Sequence, residues 1–235
     1  MTSGRRMMMG AAGVSAGGYT LWGWGQNGSG NLGVTSVDKS SPIQLGDENW
    51  AQVVAGQSFG SGIKADGSLW TWGRANAGQT GLGNVVDNSS PIQVGGLRDW
   101  AYIELGELHA IAIKTDGTLW TWGRNTNGEL GLGDKINRSS PVQVGSLTNW
   151  ALASGTVDAS ILTKTDGTLW TWGGNANGQL GLGDVVLRSS PVQVGTDTDW
   201  GYHGNNSASG GMALKTNGTM WSWGNNWAGQ LGLGD

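Results

Sequence analysis

Short apolar runs, none longer than a strand, alternate with glycine-marked breaks along the whole chain. Residues 110–114 read Ala-Ile-Ala-Ile-Lys, the two-residue period of a sheet. Asp116-Gly117 follows, and residues 118–122 form the next run. An Asp-Gly pair between two such runs predicts a tight hairpin in which both turn residues take positive φ. The same turn stands at Asp66-Gly67, Asp166-Gly167 and Asn217-Gly218. A preceding strand is predicted over 100–105, a glycine-rich loop over 125–133 and a fourth strand over 141–144. Pro141 can sit in an edge strand without removing a ladder hydrogen bond. No stretch carries a helical period.

This unit repeats. Trp50, Trp100, Trp150 and Trp200 are fifty residues apart, and Pro42, Pro91, Pro141 and Pro191 follow almost the same interval. Trp-x-Trp-Gly occurs at Trp22/Trp24, Trp70/Trp72, Trp120/Trp122, Trp170/Trp172 and Trp221/Trp223. Residues 114–150 and 164–200 agree at 28 of 37 positions, which points to duplication of one structural unit. A four-stranded unit cannot bury both faces alone, so repeated units stack about an axis as a β-propeller. Indoles two residues apart lie on one face of a strand. The ten tryptophans of the Trp-x-Trp pairs are therefore assigned to the spaces between blades, where each can bury on the order of 150–250 Å².

Composition sharpens this. Gly is 45 and Trp 15 of 235 residues. A glycine content this high can signal disorder, but a chain with so many indoles has a core to build. The net charge is −4 and no basic stripe is visible, so direct nucleic-acid binding is not expected. Cysteine is absent, which excludes disulfides and thiolate sites. No apolar run is long enough for a membrane-spanning helix. Arg5-Arg6 precede a glycine-rich, weakly apolar stretch in the order of a twin-arginine export signal. The alternative for residues 1–16 is an ordinary segment that contributes a closing strand, with the repeats filling 17–235.

The segments "WGRNTNGELGLGD" (122–134), "WGGNANGQLGLGD" (172–184) and "WGNNWAGQLGLGD" (223–235), with "SSPVQV" (139–144, 189–194) and "KTDGTLWTWG" (114–123, 164–173), carry a family signature. The chain resembles the RCC1 repeat family, named for the regulator of chromosome condensation, from about residue 17 onward. The resemblance implies an all-β propeller of four-stranded antiparallel blades. That family typically has seven blades, whereas this chain has five Trp-x-Trp hairpins. About five blades are expected, as a closed ring or as an open arc completed by a partner; a piece of a longer protein is the further alternative. The family's Gly-x-x-His is kept only at Gly106–His109.

The search for chemistry finds little that the repeat does not explain. His109 and His203 are the two histidines, and each reads more simply as structural than as a metal ligand. Glu104, Glu107 and Asp158 could share a rim as a carboxylate pair, against the simpler reading of solvated charge. Residues 125–128 echo a calcium loop but lack its bidentate glutamate. The glycine pairs have no following helix to make a phosphate site. No catalytic residue, cofactor or metal is expected. Trp227 lies outside the repeat register and could stack on a sugar or pack at a blade end, which leaves a glycan as a minor ligand class.

The expected function is thus non-enzymatic. Gln57, Phe59, Glu107, His109, Asp158, Tyr202, His203, Asn205 and Asn206 depart from the repeat and are the candidate partner-binding rim positions. Similarity to short RCC1-like propellers of bacteria and their viruses implies a structural or protein-binding role on a virion (decoration, tail fibre or receptor binding) or on a bacterial surface. Neighbouring subunits would be among the partners. The alternative is a regulator that binds a GTPase, promoting nucleotide exchange, or inhibits an enzyme through its rim loops.

Overall fold

The computed structural model describes residues 19–35, 37–46, 49–206 and 210–234, with the backbone alone at Asn205 and Asn206. Among these there is no helix. The N-terminal segment 1–16, with its closing-strand and export-signal readings, lies outside the described residues.

Seventeen strands form five antiparallel sheets in chain order. The first pairs β1 (Trp22–Gly25) with β2 (Lys39–Gln44). Three four-stranded sheets follow. The second contains β3 (Trp50–Ala55), β4 (Phe59–Lys64), β5 (Leu69–Gly73) and β6 (Asn88–Gln93). The third contains β7 (Trp100–Leu105), β8 (His109–Lys114), β9 (Leu119–Gly123) and β10 (Arg138–Gln143). The fourth contains β11 (Trp150–Gly155), β12 (Ala159–Lys164), β13 (Leu169–Gly173) and β14 (Arg188–Gln193). The last has β15 (Trp200–Asn206), β16 (Gly210–Lys215) and β17 (Met220–Gly224). The expectation of about five four-stranded blades is therefore met in full by three sheets. The outer two have two and three strands among the described residues, and the array does not close.

The hairpins differ from the expected turn. Only the glycine takes positive φ, at Gly67, Gly117, Gly167 and Gly218. The amide of Gly117 bonds the Lys114 carbonyl at 2.9 Å and that of Lys114 bonds Thr118 O at 3.0 Å, a type I turn closed by a left-handed glycine. The aspartate decides this. Asp116 Oδ1 accepts from the Thr118 amide at 2.9 Å and from its hydroxyl at 2.6 Å, while Trp120 Nε1 donates to Thr118 Oγ1 at 3.0 Å. A short polar side chain thus fixes both the turn and the indole two residues on.

Hydrophobic cores lie between successive sheets. One joins Ile63, Leu69 and Val94 of the second sheet to Trp100, Ile103 and Trp122 of the third. Equivalent clusters hold Trp72, Trp172 and Trp200. Indole N–H groups fasten these seams. Trp72 donates to Asn31 O at 3.0 Å, Trp122 to Gln79 O at 3.0 Å, Trp172 to Glu129 O at 2.8 Å and Trp223 to Gln179 O at 2.9 Å. Each acceptor belongs to the glycine-rich loop of the preceding sheet. A buried indole with its N–H satisfied adds direction to an otherwise non-directional apolar contact.

The first strands of adjacent sheets also bond through side chains. The Gln52 amide imitates a strand, with Nε2 donating to Ile103 O at 2.7 Å and Oε1 accepting from Ile103 N at 3.0 Å. Tyr102 at the same repeat position donates to Ala153 O at 3.0 Å. Its burial, with Glu104 nearby, pushes the phenol up to about 12.

Not every paired tryptophan sits between blades. Trp72, Trp122 and Trp172 are buried, and Trp70, Trp120 and Trp170 partly so. Trp22 and Trp24 are 45% and 49% exposed and Trp221 is 52% exposed, because they lie in the first and last sheets. Trp227 is 82% exposed.

Candidate functional site

The connection from first to second strand and the glycine-rich loop from third to fourth strand meet at one end of each four-stranded sheet. The backbone binds them: Arg74 N donates to Ser58 O at 2.9 Å, Arg124 N to Leu108 O at 2.8 Å and Gly174 N to Asp158 O at 2.7 Å. Neighbouring connections touch as well, since Glu107 N donates to Thr156 O at 3.1 Å. Closeness here demands small residues. A Cβ on Gly155 would meet the backbone of Gly106.

At this end the sequence departs from repetition. Gln57, Glu107 and Asp158 occupy successive connections, Gln57 exposed and the other two half-buried. Arg124 bridges two of these connections, those of Glu107 and of Val157. Its Nε donates to Glu129 Oε1 at 2.9 Å, its terminal nitrogen donates to Val157 O at 2.8 Å, and Glu107 Oε2 stands 3.9 Å away. Glu129 is fully buried and its second oxygen accepts from Asn127 N at 2.7 Å. Such a buried carboxylate is tolerable only with its charge matched and its lone pairs occupied. The other loops have glutamine (Gln79, Gln179, Gln230) or asparagine (Asn31) at this place and no arginine–glutamate pair. Arg124 and Glu129 escaped the sequence reading. An arginine and a glutamate five residues apart, where sister repeats pair Arg74 with Gln79 and Gly174 with Gln179, was the available signal.

Four proposed rim positions need correction. Phe59, His109 and His203 are 1%, 0% and 3% exposed, so none presents its side chain to a partner. Phe59 and His109 open the second strand of their sheets, where neighbouring sheets cover both faces. Tyr202 is 64% exposed, but it stands on β15 at the repeat position of Gln52 and Tyr102, away from the connections. It is bare because no described strand follows to receive it. Asn205 and Asn206 pair with Gly211 and Gly210 as the end of β15.

His109 Nε2 lies 3.3 Å from Ser160 Oγ, which superficially resembles a base–nucleophile pair. Both residues are wholly buried, and the Ser160 hydroxyl donates to Glu129 O at 2.9 Å. Burial, with Arg124 nearby, lowers His109 to about 3, and burial lowers His203 to about 4. These are neutral imidazoles packed as core. The calcium-like loop is built around an amide instead of an ion: Asn125 Nδ2 donates to Asp134 O and Ile136 O at 3.1 and 3.2 Å. Among the described residues no three His, Asp or Glu side chains group as a metal site.

The Regulator of chromosome condensation (RCC1) repeat profile matches residues 66–113, 116–156 and 166–200. The chain belongs to the RCC1 repeat family. A second profile of the same repeat matches 100–129. No curated protein matches the chain in sequence. Among solved structures, this RCC1-repeat chain is similar to human WBSCR16, with TM-score 0.80, 22% identity and 91% of this chain covered. It is similar to Prp20p of Saccharomyces cerevisiae, described with its binding to Gsp1p and histones, with TM-score 0.76, 21% identity and 91% coverage. A structure of yeast RCC1 (Prp20) bound by Kap60 matches with TM-score 0.72, 21% identity and 82% coverage. These likenesses establish the RCC1-like propeller fold. The chain spans 59%, 53% and 48% of those three structures.

Proposed function

We propose that this RCC1-repeat chain is a non-catalytic scaffold that binds other proteins through the end carrying Gln57, Glu107 and Asp158. One observation carries the reading: side chains that break the repeat lie on adjacent connections there, two of which Arg124 bridges through the Val157 carbonyl and Glu107. Elsewhere, polar side chains such as Asp116 and Asn125 close turns and loops of the frame. A rigid disc with variable loops at one end is a general recognition design. Protein binding by neighbours of this fold, Prp20p with Gsp1p and histones and yeast RCC1 with Kap60, supports the partner class. Within it, we favour a structural or receptor-binding component of a bacterial surface or of a bacterial virus, on the near-identity of the repeats and their resemblance to such propellers.

Photo-crosslinking amino acids placed at Gln57 and Glu107, with Val186 on the outer loops as control, test this in the native setting. A protein captured from the first two positions and not from Val186 supports the proposal. Capture from Val186 alone overturns it. Immunolabelling of virions and of intact cells separates the two settings. Regulation of a GTPase is the second reading, favoured by the fold shared with Prp20p. It predicts accelerated nucleotide release from a Gsp1p-type GTPase, lost in Glu107→Arg; unchanged release removes it.

A further inference from the structure

The four indole seams share one construction, and the two ends of the array hold its separated halves. A seat consists of a glycine-rich-loop carbonyl that accepts the indole N–H, beside a left-handed glycine. A Cβ on that glycine would meet the indole at 3.3 Å from Gly33, 2.7 Å from Gly81, 2.8 Å from Gly131 and 3.0 Å from Gly181. Gly232 is the fifth member, with φ +69, and a Cβ there would meet nothing within 4 Å. The walls of this seat are bare too. Leu69, Leu119 and Leu169 are 0% exposed, yet Met220 at the same position is 63% exposed. Leu214 and Leu233 are 38% and 64% exposed, where Ile63 and Ile113, and Leu82 and Leu132, join the cores.

At the other end stands an indole without a seat among the described residues. Trp24 is the repeat equivalent of Trp72, Trp122, Trp172 and Trp223, and no described loop precedes it; it and Trp22 are about half exposed. We propose that a second copy of this chain docks head to tail. Trp24 of one copy enters the seat beside Gly232 of the next, and Trp22 covers Met220. The contact continues the seam already used four times within the chain, which is why a second copy is the occupant the geometry selects. It joins two different surfaces, so association propagates, to a ring if the rotation closes and otherwise to a filament.

Native mass spectrometry and light scattering over a concentration series read the outcome, with circular dichroism verifying folding. Wild type should form multimers whose mass grows with concentration. Trp24→Ala disables one end and Met220→Glu the other, both at exposed positions that the fold tolerates. Each variant alone should be monomeric, a loss of roughly tenfold or more in affinity, as for removal of a buried contact residue. Mixed in equal parts they should give a 1:1 dimer and nothing larger, since each retains one competent and opposite end. A wild type monomeric at every concentration overturns the proposal, as do multimers indifferent to both substitutions or a mixture that yields no dimer.

Discussion

His109 is neutral in the folded chain at any pH near neutrality, because burial lowers it to about 3. Unfolded, it titrates near the ordinary histidine value. Between those values the unfolded state binds the extra proton, so stability falls as pH drops. His203, lowered to about 4, acts in the same direction. Thermal unfolding should therefore be level above about pH 6.5 and decline towards pH 4, by on the order of a few kcal/mol in total. His109→Phe, which copies Phe59 of the preceding sheet, should fold and flatten that decline. An equally steep profile in the variant would contradict the assignment. The lysines give a second contrast. Lys114 stacks 5.0 and 4.5 Å from the rings of Trp100 and Trp120 and pairs with Asp99 at 3.2 Å. Lys164 lies 4.8 and 3.7 Å from Trp150 and Trp170, but Asn149 replaces the aspartate and desolvation lowers its pKa. Asn149→Asp should restore the pairing and raise stability by about 1 kcal/mol, measured by urea unfolding at neutral pH.

Single strands and hairpins were the most legible level. Asp116-Gly117 and the indoles of β9 marked their hairpin because each residue type serves one steric or polar need. The turn type was not legible, since a dipeptide cannot tell whether Asp116 will adopt positive φ or accept bonds from Thr118. Contacts between elements decide which glycines are replaceable. Gly117 and Gly195 both take positive φ, 78° and 58–60° being typical of their positions. A Cβ on Gly117 would collide with the Thr148 carbonyl, whereas one on Gly195 would meet nothing within 4 Å. Gly195→Ala should cost only the left-handed strain of about 1–2 kcal/mol. Gly117→Ala should cost distinctly more, and calorimetry that found the two equal would refute the contact. The same reasoning explains Phe59 and His109. Their departure from repetition was visible, but only neighbouring sheets reveal that the starts of β4 and β8 are covered.

Across the molecule, a chain of repeats that touch only their neighbours gains stability from each seam. Among the described residues, the central sheets have seams on both sides and the outer sheets do not. Hydrogen exchange should be slowest in β8 and β12 and faster in β1, β2 and β17; uniform protection would mean the array behaves as one closed unit. The propeller was readable at this scale because the period is explicit. The proposed binding end was only half readable: Gln57, Glu107 and Asp158 fall on successive connections, while Arg124 and Glu129 gain meaning only when the chain bends to bring Val157 beside them. Residues 114–123 and 164–173 are identical, so during folding either segment can occupy the slot of the other without local penalty. The Gln52 amide on Ile103 and the Arg124–Glu129 bridge to Val157 exist at one seam each. They act as address labels, and a chain stripped of both is expected to lodge some molecules a full repeat out of place.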